Sequence, residues 1–352
     1  MSKRIRIKDI AALAGVSEGT VDRVLHGRSE VAPATRDRIL KVVEETGYRP
    51  NLLAKSLASK KRIRIAVLVP DSSRDNPYWA LPTKGIGKAD EEIRAFNGMT
   101  ETYPFDLNDE ASFRMQTTRI LENPPDALLV APIFTKPMAE LAVRLEEMGI
   151  PFVYLDSQHD GQKALSYIGQ NARHSGYLVA RLICYGLRSG EKILVANLAR
   201  PEGIMHHLQK RQRGFMNYFR PCMMRKDIKV LTLDIDLTVE GEPALTLDPW
   251  FAEQGEVNAI FVTSSKVHKL AEYLQAKRKE HILLVGYDLI DENRRYLEEG
   301  VIDFLISQKP EEQGYKGVMT LFQYLTARVL PDPVQHSPID IITVENIEYY
   351  QP

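Results

Sequence analysis

Two aspartates stand at the ends of apolar runs, Asp156 closing IPFVYLD and Asp288 closing LLVGYD. Open α/β sheets bind ligands outside the carboxyl ends of their strands, and a carboxylate placed there can accept protons from hydroxyl groups. Taken singly, each aspartate serves equally well as a helix cap. A different chemistry is written near the N-terminus, where VSEGTVDRVLHGR (16–28) turns Glu18, Gly19, Asp22 and Arg23 to one side of a short helix. Arginine can hold guanine through two parallel hydrogen bonds and glutamate can accept from a cytosine amino group; on a plain surface helix the same charges would only pair with one another. Other chemistries lack their residues. Gly85 and Gly87 miss the third glycine of a dinucleotide fingerprint, Gly87-Lys88 misses the upstream glycine of a phosphate loop, and no GxSxG, HExxH or EF-hand pattern occurs. His206 and His207 are adjacent and cannot face one metal as residues four apart could. Neither metal nor cofactor is expected, and an enzyme using the paired carboxylates is the weaker alternative.

The elements that must position these residues are legible. Ile7, Ile10, Ala11 and Ala14 recur at helical spacing, Gly15 ends that helix, and Ser17 caps a second whose stripe is Val21, Val24 and Leu25. Two short helices joined by AGVS make a helix-turn-helix. A third helix starts at Pro33, buries Ile39, Leu40 and Val43, and stops at Gly47. Beyond residue 62, apolar runs alternate with amphipathic ones. IRIAVLVP, TETYPFD, ALLVAP and IPFVYLD are separated by helices through GIGKADEEIRAF, from Glu110 to Leu121 and up to Met148. A second set follows SYIG at 166–169: a helix from Arg173 to Tyr185, KILVANL, a helix around Arg213 to Tyr218, KVLTLDI, NAIFVTS and LLVGYD. The alternation predicts two parallel, Rossmann-like sheets in a two-lobed body.

Charge separates the two parts. Residues 1–62 carry 14 Lys and Arg against 7 Asp and Glu, while the remainder has 32 against 40, so a net charge of -1 hides a basic head on an acidic body. A head of that sign meets a polyanion, and the acidic body argues against general stickiness to nucleic acid. Cys184 and Cys222 have no metal-ligand spacing and read as reduced packing residues. KRIRIKD followed by IAALAGV has the order of an export signal, but the apolar stretch sits at the short limit and Gly15 opens a turn instead. No run approaches the length of a membrane span, so a cytoplasmic protein is expected.

The stretch IKDIAALAGVSEGTVDRVLHGRSEVAPATRDRILKVVEETGYRPNLLAKSLASKK closely resembles the DNA-binding head of the lactose-repressor (LacI/GalR) family over about fifty positions. The resemblance implies that the second helix enters the major groove, with Ser17, Glu18, Gly19, Thr20, Asp22 and Arg23 at the DNA and Arg23 the foremost base reader. Thr20 and Thr35 then donate to phosphates. Asp22 departs from the serine common there, so it either reads a base or steadies the arginine. LLAKSLASKK corresponds to the family's hinge helix, which orders when two copies meet in the minor groove, with Asn51 and Ala54 at the DNA and Leu57 wedged between base pairs.

The body resembles the sugar-binding periplasmic-binding-protein type that the family fuses to its head. Its anchors are NPYW (76–79), YLD, RQRGF (211–215), GYD and ISQKPEEQGY. They imply a ligand set of Asn76, Tyr78, Trp79, Asp156, Arg211, Ser264, Asp288 and Gln308. Ser264 stands where asparagine is common and Ser157 where some sugar binders have arginine. The expected organisation is a helix-turn-helix domain at 1–49, a hinge at 50–62 and an effector-binding body at 63–352. Its N-lobe takes in about 63–168 and 309–334, and its C-lobe about 169–308 and 335–352. The resemblance implies a homodimeric repressor of transcription whose affinity for double-stranded operator DNA is set by a small-molecule effector, a sugar, with no membrane partner. A purine-like effector is the alternative; a solute-binding protein serving a transporter is disfavoured by the basic head.

Overall fold

A computed structural model describes residues 7–25, 31–46, 62–73, 76–159, 161, 163–199, 206–219, 227–236 and 243–350. Among the described residues the head holds three helices, α1 (Ile7–Ala14), α2 (Glu18–Leu25) and α3 (Pro33–Thr46). Gly15 ends α1 at φ +62°, a conformation glycine adopts without penalty. Ser17 caps α2 by accepting from the Thr20 N–H at 3.1 Å. Ile10, Ala11, Ala14, Val21, Val24 and Ile39 form the buried centre, with Leu25 and Val43 packed against it. Leu40 departs from expectation: it is 44% exposed. It follows Ile39 by one residue, about 100° around the helix, and the stripe facing α1 and α2 is too narrow to include it. Gly47 and Cys222 lie outside the described residues.

The body is built on two six-stranded sheets. The first contains β1 (Ile63–Pro70), β2 (Gly98–Phe105), β3 (Ala127–Val130), β4 (Phe152–Leu155), β5 (Ser166–Gln170) and β11 (Val334–Ser337). The second contains β6 (Lys192–Ala199), β7 (Lys229–Asp236), β8 (Ala259–Val262), β9 (Leu283–Tyr287), β10 (Phe304–Ser307) and β12 (Asp340–Ile342). Their orders are β11-β5-β4-β3-β1-β2 and β12-β10-β9-β8-β6-β7. All pairings are parallel except β10 with β12. Strands such as ALLV, FVYL and AIFV are buried along their whole length, as two-sided parallel strands require. In each sheet the first strand has its second on one side and its third on the other, so both have a switch point where a ligand crevice opens at the strand ends.

The remaining helices are α4 (Ala80–Arg94), α5 (Glu110–Glu122), α6 (Thr135–Glu147), α7 (Ala172–Gly186), α8 (His206–Phe219), α9 (Ala244–Gln254), α10 (Val267–Ala276), α11 (Asp291–Glu298) and α12 (Pro310–Ala327). The pair α7 and α8 is joined by reciprocal backbone contacts: a Cβ on Gly176 would collide with the Arg211 carbonyl, and one on Gly214 with the Arg173 carbonyl. Gly85 and Gly314 do the same for α4 and α12 in the first lobe. Gly176→Ala is expected to cost about 1–3 kcal/mol in urea unfolding, because the obstacle is backbone and cannot rotate away. An unchanged unfolding midpoint would count against so close an approach.

The chain passes between the sheets three times, after Gln170, after Ser307 and between Ser337 and Asp340. Gln170 Nε2 donates to the carbonyls of Ser307 (3.1 Å) and Pro338 (3.2 Å), so one buried amide touches all three crossings. Among the described residues no helix is long and apolar enough to cross a membrane.

Candidate ligand cleft and nucleic-acid interface

Asp156 and Asp288 follow β4 and β9, the fourth strand in chain order of each sheet, and both take the left-handed conformation, at φ 68° and 65°. The two carboxylates thus occupy equivalent places in the two lobes. Their partners differ. Tyr78, in a single 3-10 turn (Pro77–Trp79) after β1, donates its hydroxyl to Asp156 Oδ1 at 2.6 Å. The Tyr167 hydroxyl lies 3.1 Å from the Asp156 carbonyl. Asp288 Oδ2 accepts from Gln308 Nε2 (3.1 Å), and Gln308 Oε1 accepts from Arg211 Nη2 (3.1 Å). Arg211 Nη1 donates to the Thr263 carbonyl (2.9 Å), and its guanidinium lies 3.7 Å above the Tyr287 ring. Every member of this chain is buried.

Among the described residues, four buried atoms here have no partner: Asn76 Nδ2 and Arg211 Nε, which donate, and Asp288 Oδ1 and Gln170 Oε1, which accept. Each such atom costs about 1–3 kcal/mol until something meets it. Burial, reinforced by the charge of Asp156, pushes the Asp288 carboxyl up to about 7 against the pull of Arg211 and Gln308. Burial and the two aspartates hold the Tyr78 hydroxyl well above its ordinary value. Because the folded protein binds the Asp288 proton more tightly than the unfolded chain does, this group's contribution to stability declines as pH rises from the ordinary carboxylate range through about 7. Asp288→Asn should remove that decline, seen as a flatter dependence of melting temperature on pH between about 5 and 8.

The expected ligand set is mostly brought together. Tyr78 and Asp156 come from one lobe, Arg211, Asp288 and Gln308 from the other, and Asn76 precedes the 3-10 turn. Trp79 packs edge-on against Tyr78 within the core of the first sheet. Ser264 is half-buried, and its hydroxyl lies 3.4 Å from the Lys266 N–H of its own loop. Sequence reasoning missed Tyr287, Thr263 and Gln170. Tyr287 and Thr263 adjoin recognised positions, yet a stacking ring and a backbone carbonyl leave no mark in residue type.

In the head, Glu18, Gly19 and Arg23 are exposed, while Thr20, Asp22 and Thr35 are half-buried. Arg23 Nε donates to the Gly19 carbonyl at 3.2 Å, which lays the guanidinium along the outer face of α2. Ser17 and Thr20 share a hydroxyl contact of 2.9 Å. Asn51, Ala54 and Leu57 lie outside the described residues.

Residues 6–51 match the family described as bacterial regulatory proteins, lacI family, and residues 65–328 match the periplasmic binding protein domain. The HTH-type transcriptional regulator CelR of Thermobifida fusca is 26% identical over 296 residues, covering 81% of this chain and 82% of that protein. A solved chain from Bacteroides fragilis, assigned to the LacI transcriptional regulators, superposes with a TM-score of 0.78 at 32% identity, covering 83% of this chain and 100% of its own. GanP, a glucose-galactose binding protein from Geobacillus stearothermophilus, shares the fold at a TM-score of 0.69 and 21% identity, covering 82% of this chain and 99% of its own. A capped helix-turn-helix joined to two switch-point sheets, matched in both parts, places this chain in the lacI family of bacterial transcriptional regulators, with a body of the periplasmic-binding-protein type.

Proposed function

We propose that the protein is a cytoplasmic homodimer that binds palindromic operator DNA through α2 and releases or retains it according to a neutral sugar held between its two sheets. The observation that carries the ligand class is the set of buried unpartnered atoms, donors and acceptors together, which suits hydroxyl groups because each can both donate and accept. Among the described residues, two carboxylates against one guanidinium leave the cleft with no surplus positive charge, which disfavours phosphorylated or acidic sugars. A purine would need a flat slot, whereas Tyr78 and Trp79 meet at 83° and Tyr287 is already covered by Arg211. The relatives are regulators and binding proteins, and we read the cleft as a sensor without turnover.

Within this reading the head is 1–49, the hinge 50–62 and the body 63–352. Asn51, Ala54 and Leu57 of each hinge meet the minor groove, and pairing two heads makes the second DNA contact intramolecular. The test is to select bound fragments from genomic DNA, then titrate the complex with D-glucose, D-galactose, D-arabinose, D-tagatose and myo-inositol. Operator affinity should change by about 10-fold or more with at least one of them, a coupling of about 1.4 kcal/mol. No preference for any duplex over random competitor at physiological salt would overturn the regulator, and a bound sugar without effect on operator affinity would overturn the coupling.

A further inference from the structure

Behind Asp288 lies a side chain that takes no part in the hydrogen-bonded chain of the cleft. Asn293, the third residue of α11, is wholly buried. Its Nδ2 donates to the carbonyls of Ser265 (2.8 Å), Tyr287 (2.9 Å) and Asp288 (2.9 Å). Its Oδ1 accepts from the backbone N–H of His268 (3.0 Å) and from the His268 ring Nδ1 (3.0 Å). Three carbonyls on one side and a backbone N–H on the other fix which end of the amide is which, so His268 carries a proton on Nδ1.

Tyr287 O and Asp288 O belong to the two peptide planes on either side of the Asp288 Cα. A non-glycine residue in the left-handed region persists where its surroundings over-determine it, and here one amide grips both flanking planes. The same amide holds Ser265, two residues beyond the Thr263 carbonyl that anchors Arg211. Asn293 therefore joins both supports of the Asp288–Gln308–Arg211 chain through hydrogen bonds to backbone and to the His268 ring. In the first lobe the Tyr167 hydroxyl lies at the Asp156 carbonyl and the His159 ring 2.7 Å from the Pro132 carbonyl.

We propose that Asn293 is a positioning residue for the ligand cleft, locking the left-handed turn that presents the Asp288 carboxyl and tying it to the loop that anchors Arg211. Its importance for sugar binding rests on the reading of Asp288 as a ligand contact, so the decisive measurement needs no ligand. In the full-length protein the Asp288 carboxyl is followed by 13C NMR against pH, assigned by its absence in Asp288→Asn. The groups that act on it directly, Asp156, Arg211, Tyr78, Tyr287 and Gln308, stay unchanged. On the far side of Asn293 lies His268, held below the usual imidazole range by burial, with Glu292, Lys266 and Lys269 around it.

The wild type should titrate near 7. Asn293→Ala should move the midpoint down by roughly one pH unit or more, as the released turn lets the carboxylate reach water. His268→Leu keeps the backbone bond to Asn293 and should shift it less, in the same direction. Asp303→Ala is the control for general loosening, since Asp303 Oδ2 accepts from the Leu284 N–H (2.7 Å) at the opposite end of β9 and alanine removes that bond; it should leave the midpoint in place. A folded Asn293→Ala with its midpoint within about 0.3 pH units of wild type overturns the proposal. So does a control that shifts as far. If Asn293→Ala does not fold, His268→Leu decides by the same criterion. Where a monosaccharide binds the wild type, Asn293→Ala should weaken it about 10-fold; failure of every sugar in the panel leaves the titration result standing and counts only against the sugar.

Discussion

Replacing Arg211 with methionine is expected to abolish the response of operator binding to a sugar effector, weakening sugar affinity by about 100-fold or more at pH 8, or about 2.7 kcal/mol. The guanidinium does three things at once: it holds Gln308, and through it Asp288; it is anchored on the Thr263 carbonyl; and it keeps Nε unpartnered. Methionine preserves the apolar stem over Tyr287 and removes all three. Losing one partner of a buried charge arrangement costs about 3–5 kcal/mol when the remaining charge cannot escape. Here it can escape partially, because Asp288 takes up a proton near 7. The loss of stability should therefore be mild at pH 6 and larger at pH 8. Affinity for operator without sugar should change by less than about 3-fold, since the head is untouched. Calorimetry with the most effective sugar, alongside operator titrations at both pH values, checks this; a retained sugar response would remove Arg211 from the site.

The second large effect lies at the other end of the chain. Arg23→Ala should weaken binding to the selected operator by about 1–3 kcal/mol per head, so about 5- to 160-fold for each half-site. The free head has the Arg23 Nε resting on Gly19 O, a weak neutral acceptor that the side chain can leave without great cost. Arg23→Lys should recover little, because the two-pronged geometry is lost with the guanidinium. Thr35→Val should instead weaken all duplexes alike, as expected for a phosphate contact. The two outcomes separate when each variant is titrated against a series of single-base operator substitutions at one salt concentration. If Arg23→Ala weakened every member equally, it would be a backbone contact and base reading would fall to Glu18.

How much of this was legible in the sequence follows from how local each feature is. Gly15, the Ser17 cap and the Val21, Val24 stripe act within a few residues, so the head is legible in its sequence, apart from Leu40, whose exposure depends on how wide a face the other helices cover. The strands ending at Asp156 and Asp288 were visible as apolar runs, and equivalent placement of the two aspartates follows from sheet order. By contrast β11 (VQHS) is short and largely polar and β12 (DII) has only three residues, so both are strands because β5 and β10 offer them edges. Asn293 sits in DENRRYL, where nothing sets it apart from a solvated helix face. Its role arises from loops brought together by two different strands.

Gln170 has a mechanical meaning. Three crossings of the chain, tied to one another by the Gln170 amide, should resist sliding of one lobe across the other far more than bending about the line through them. With each lobe stiffened by helices that meet backbone to backbone, a small change at the cleft cannot be absorbed locally. It is expected to emerge as rotation about that line, with a displacement that grows with distance from the pivot.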